Sequence, residues 1–121
     1  LEVQPRQPST IVDAQRLIAS TDVKVAFGTD CGMFPFSHGI REFQAMVAAG
    51  LSPIRALRAG TSVAAEFAGR NDIGVLKPAA CADIVAMPGN PLDDIATTAR
   101  VDFVMRAGAV HRRPGDASGQ P

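Results

Sequence analysis

Val23-Lys24-Val25-Ala26-Phe27-Gly28-Thr29-Asp30 is an apolar run that ends in a carboxylate. Val23, Val25, Ala26 and Phe27 predict a short buried strand. Gly28 and Thr29 let it open out, and Asp30 stands where it stops. In α/β proteins the carboxyl ends of parallel strands form the face where ligands bind. An aspartate placed there is a candidate metal ligand or general base. The same position also suits a carboxylate that caps a turn or the following loop.

The surroundings extend this pattern. Residues 1–10 hold two prolines and several polar groups, an irregular lead-in. Ile11 to Ser20 predicts a short helix, with Thr10 as N-cap and Asp13 in its first turn. A helix followed at once by a buried strand is the unit from which parallel sheets are built. After a loop from Cys31 to Gly39, residues Ile40, Phe43, Met46 and Val47 share one helical face, and Gly50 is a natural stop. Ser52-Pro53 starts a second helix that runs to Gly60. Thr61-Ser62 starts a third, with Val63, Ala64, Phe67 and Ala68 turned inward and Gly69 closing it. Beyond Gly69 turns alternate with short β-like runs. Asp83–Met87 is one, and Val101–Arg106 with Val110–Arg112 predicts a hairpin. From Arg113 the composition is that of a frayed tail.

Composition narrows the function classes. A hydrophobic fraction of 46% with 20% charged residues is that of a globular chain, and 121 residues suffice for one compact domain. Lys plus Arg and Asp plus Glu are both 12, so no basic excess points to nucleic acid or an anionic membrane. With no Trp or Tyr, a stacking platform for bases is not expected. No stretch approaches the roughly 20 apolar residues of a membrane span. Cys31 and Cys81 lie beside or within apolar runs, which suits reduced, buried thiols and a cytoplasmic location. Leu1 stands where a Met would open a complete chain, and no secretory leader is visible.

Three segments together carry a family resemblance. The first is Val25–Asp30 with Cys31-Gly32 and, after the loop, His38-Gly39. The second is Ala48-Ala49-Gly50-Leu51-Ser52-Pro53 leading into Ala56–Ala65. The third is Gly74–Pro78, then Ala82–Met87 and Gly89-Asn90-Pro91-Leu92. In this order and spacing they resemble the C-terminal part of the metal-dependent amidohydrolase superfamily, and its imidazolonepropionase-like and Xaa-Pro-dipeptidase-like members most.

The resemblance implies an α/β architecture: the end of a (β/α)8 barrel plus strands of a small composite β-sandwich. Residues 1–70 would close the barrel domain, with 23–30 its last strand. Residues 71–113 would return to the sandwich, and 114–121 would be a disordered tail. The resemblance implies hydrolysis of a C–N bond in a small amide, cyclic amide or dipeptide, with one or two Zn2+ ions in the complete enzyme. Asp30 takes the catalytic and metal-binding role, and His38 lines the substrate pocket.

Departures from the family pattern qualify this. The His-x-His pair of the first barrel strand, the two further histidines and the carboxylated lysine have no counterpart here; the only histidines are His38 and His111. A catalytic zinc site takes three protein ligands and a water. The sequence therefore reads as a fragment that is inactive alone. Bland readings stand beside the sharp ones. His38 also fits an exposed loop residue, Cys31 a structural thiol, His111 a solvent-facing strand residue, and Phe34 and Phe36 either a pocket wall or loop anchors. Arg55, Arg58 and Arg70 read as solvated helix faces. A rival reading is a non-catalytic small α/β interaction domain in which Asp30 is structural. On either reading, helices rich in Ala and Gly leave apolar faces that invite self-association.

Overall fold

The structure, a computed structural model, describes residues 9–30, 32 and 35–116. Cys31, Phe34, the lead-in 1–8 and residues 117–121 lie outside them. Four helices precede a small sheet: α1 (Ser9–Ala19), α2 (Arg41–Ala48), α3 (Pro53–Ala59) and α4 (Ser62–Phe67), then β1 (Ile84–Ala86), β2 (Phe103–Arg106) and β3 (Ala109–Arg112). Short 3-10 turns span Phe36–His38 and Ile95–Ala99.

Helix α1 begins at Ser9, so Thr10 lies inside it and Asp13 beyond its first turn. Its C-terminal carbonyls are satisfied one by one, as helix ends require. Ser20 N–H reaches the Arg16 carbonyl, and the Ser20 and Thr21 hydroxyls reach those of Leu17 and Ile18 at 2.8 and 2.9 Å. The Ala19 carbonyl accepts from Arg55 Nη1 at 2.8 Å.

The expected strand at 23–30 is not one here. Residues 22–30 are neither helix nor strand, because no ladder partner lies beside them among the described residues. They run along the helices instead, with Phe27 N–H donating to the Ala59 carbonyl at 2.9 Å. Val25, Ala26 and Phe27 are half-buried, and Val23 is 59% exposed.

Helices α2 and α3 follow the predicted faces and stops. Gly50 has φ +108° after α2, and Pro53 opens α3 behind an extended Ser52. The core is Met46, Leu51, Ala56 and Ala59, with Ala19, Val25, Phe27, Phe43 and Val47 packed against it. Helix α4 turns Ala65 inward rather than Phe67, which is 67% exposed. Four of the six buried apolar residues among those described are alanines, so burial contributes little per residue.

The sheet is antiparallel in the order β1-β2-β3. Ile84 pairs with Met105 and Ala86 with Phe103; Arg106 pairs with Ala109. The hairpin turn Ala107-Gly108 has both φ angles positive, at 49° and 79°, which matches the twist of the strands it joins. It is fastened from outside: Ala107 N–H donates to Asp83 Oδ1 at 2.7 Å and Gly108 N–H to the Ala82 carbonyl at 3.1 Å. A register shift between Val104 and Met105 sets His111 opposite that step, exposed on the sheet edge. Arg113 to Asp116 closes a turn through Arg113 N–H to Asp116 Oδ2 at 2.6 Å.

The join between helices and sheet depends on Gly74. Its φ is +72°, and a Cβ there would stand 2.5 Å from the Thr61 carbonyl oxygen. Beside it, Arg70 Nε and Nη2 hold both oxygens of Asp72 at 2.7 Å, and the Cys81 thiol donates to Asp72 Oδ2 at 3.5 Å. Arg70 is thus paired rather than merely solvated, and Cys81 is exposed rather than buried. The Arg70 hydrogen bonds hold the Asp72 carboxyl far below its ordinary value, and the bond to Asp72 pushes the Cys81 thiol up.

Gly74→Ala should cost about 2–4 kcal/mol in chemical denaturation, through left-handed strain plus a backbone clash. Gly69→Ala, at φ +67° with open space around its Cβ, should cost only about 1–2 kcal/mol. The Asp72 carboxyl is depressed in the fold, so its contribution is present above the unfolded value and fades as pH falls toward the folded one. The melting temperatures of the native chain and Asp72→Asn should therefore differ at pH 7, with the gap narrowing below about pH 4.

Candidate functional site

Asp30 lies just past the half-buried run, at the end of a segment pressed on the helices from one side. The Phe27 ring stacks on Phe43 of α2 with centroids 4.9 Å apart and planes tilted by 32°. Gly60 accommodates that ring: a Cβ at residue 60 would come within 2.8 Å of Phe43 Cζ. Lys24 Nζ grips both oxygens of Glu66 on α4, at 2.6 and 2.8 Å. Backbone, ring and charge contacts thus fix the segment at Lys24 and Phe27, three and more residues before the carboxylate.

Asp30 itself adopts φ +49°, and its side chain faces solvent. Aspartate visits the left-handed region more readily than most residues, yet the conformation is uncommon. Such outliers cluster where a side chain must be aimed. Asp30 thus stands exposed past the end of the apolar run, which is not paired as a strand.

His38 closes the 3-10 turn Phe36–His38 and is exposed. It returns to the Asp30 end of the segment: Thr29, His38, Arg41, Glu42 and Ala45 line one open cleft of about 290 Å³. A neighbouring hollow of about 430 Å³ lies between Phe27, Thr29, Phe36, Phe43 and Gly60. Phe36 is 82% exposed at its rim, so it does not anchor the loop in the core. Sequence reading passed over Thr29, Arg41 and Glu42 as cleft residues. The signal available for Arg41 and Glu42 was their place in the first turn of the helix that follows the loop, where side chains border the ligand face of α/β folds.

The donor chemistry fits a zinc site only in part. Zinc takes carboxylate oxygens and imidazole nitrogens, and Asp30 and His38 supply those types. Among the described residues, however, no three His, Cys, Asp or Glu side chains come together as a metal cluster. His111 sits on the sheet, in another part of the molecule. Nor is any helix among the described residues long and apolar enough to cross a membrane.

Comparison with known proteins gives this geometry a family. The chain superimposes on a Xaa-Pro dipeptidase with methionine bound in its active site, with a TM-score of 0.80 and 30% identity over 86% of this chain and 26% of that one. A prolidase in complex with N-methylphosphonate-L-proline gives 0.73 and 33% over 84% and 26%. An ochratoxinase of A. niger gives 0.73 and 27% over 88% and 26%. The chain thus spans about a quarter of the length of these structures. No curated protein matches it significantly. The family model for amidohydrolases matches residues 6–110, which takes in the apolar run, Asp30, His38 and the sheet as far as the second residue of β3. The chain belongs to the amidohydrolase family.

Proposed function

We propose that this chain forms the C-terminal part of a metal-dependent hydrolase that cleaves C–N bonds of small amides or dipeptides, with Asp30 as its catalytic carboxylate. The observation that carries the reading is Asp30 itself, exposed at φ +49° at the end of an apolar segment within the matched family region. The similar structures point to the substrate class: their ligands are methionine and a proline phosphonate, both small and amino-acid-like.

On this reading, residues 23–30, not paired as a strand here, would take the place of the last strand of a (β/α)8 barrel whose neighbouring strands come from outside the described residues. The described residues up to 70 would close the barrel domain, and 71–113 would belong to the small sandwich. Asp30 accepts the proton of the attacking water and later returns it to the leaving nitrogen. His38 borders the cleft beside it and contacts substrate. One or two Zn2+ ions, bound mainly by residues other than those described, would acidify water and polarise the carbonyl. Asp30 is the donor that this chain offers them.

The test uses the complete protein that contains this chain. Asp30→Asn keeps the size of the side chain and its tolerance of positive φ, so folding should be retained in circular dichroism. Hydrolysis of an Xaa-Pro dipeptide or an N-acyl amino acid should fall by about a thousandfold. Activity within tenfold of the native level would overturn the reading. The 121-residue chain alone should show no turnover even with added zinc.

A further inference from the structure

We infer that Arg55 is a positioning residue for Asp30, acting through the backbone of the segment that presents it. The inference rests on the reading of Asp30 as the site carboxylate. Arg55 sits in the first turn of α3, and its half-buried guanidinium leaves its own helix. Nη1 donates to the Ala19 carbonyl at 2.8 Å and Nη2 to the Val23 carbonyl at 3.1 Å. These acceptors lie 36 and 32 residues earlier in the chain.

Each acceptor matters. Ala19 is the last residue of α1, and its carbonyl is an orphan at the negative end of the helix dipole, where a cation is favoured. Val23 opens the apolar run that ends at Asp30. One planar fork therefore ties the end of α1 to the start of that run and fixes the angle between them. Next along the chain come the Lys24–Glu66 pair and the Phe27–Ala59 hydrogen bond. Together the three ties set the run on α3 and α4. Arg55 is the one that acts where the chain leaves α1, so without it the start of the run shifts and loads the two remaining ties at Lys24 and Phe27.

Lysine cannot replace this contact. Its ammonium is a single point on a flexible stem and does not present two donors in a fixed fork. Arg58, one turn on and exposed, carries the same charge without a side-chain hydrogen bond to the described residues, and serves as the control.

The experiment follows backbone NMR signals of the complete protein, isotope-labelled over these residues, in Arg55→Met, Arg55→Lys and Arg58→Met. In Arg55→Met, hydrogen exchange of the Phe27 amide should quicken by about tenfold, the scale of a lost hydrogen bond to a charged group. The Asp30 carbon shifts that report its left-handed backbone should move toward ordinary values. Arg55→Lys should not restore either signal, and Arg58→Met should change neither. If Arg55→Met fails to fold, Arg55→Lys carries the test, because it keeps charge and stem. A lowered melting temperature with native Phe27 and Asp30 signals would show a merely structural role and overturn the inference, as would equal effects from Arg58→Met. Full hydrolysis by an Asp30→Asn complete enzyme would instead defeat the catalytic reading and leave the Arg55 result standing.

Discussion

The hydrogen bond from Phe27 N–H to the Ala59 carbonyl is the contact on which the rest of the molecule turns. It spends a backbone donor of the most apolar segment on the end of a helix rather than on a neighbouring strand. It places the Phe27 ring over Phe43 and brings Val25 to the core of α2 and α3. Three residues beyond Phe27, Asp30 leaves that support and enters a left-handed conformation in solvent. The segment is thus anchored on its helical side.

That asymmetry explains the packing. A core of two larger side chains and several alanines gives a small domain little burial. Leu17, Val23 and Phe67 stay largely exposed, at 67%, 59% and 67%. The sheet shows the same habit, with Val85 57% exposed on β1. Faces of this kind belong to elements designed to be covered. They agree with a chain that spans about a quarter of the length of the structures it resembles.

Local elements were legible in the sequence wherever one residue dictates the backbone. Gly50, Pro53 and the Ala107-Gly108 turn mark the end of α2, the start of α3 and the hairpin. At 23–30 the apolar run is legible but its pairing is not, because a ladder needs a neighbour and none lies beside it among the described residues. Helix α4 was misread at Phe67, since Ala65 faces the Thr61–Gly74 crossing and leaves the larger ring outside. The 3-10 turn at Ile95–Ala99 escaped notice because it buries Thr97 and Thr98 rather than apolar side chains. At the site, Asp30 was visible from its place after the apolar run. The role of Arg55 was not, because its partners, the carbonyls of Ala19 and Val23, lie 36 and 32 residues earlier and reach it only through tertiary geometry.

A segment held from one side and apolar on the other should seek a second surface. Sedimentation velocity of the purified chain over a range of concentrations tests this most directly. Reversible association that grows with concentration and weakens in Val23→Lys is the predicted result, because Val23 is 59% exposed within the apolar run. A monodisperse monomer at every concentration, with a sharp cooperative melting transition, would show that the helices and sheet already form an autonomous domain and would contradict the account.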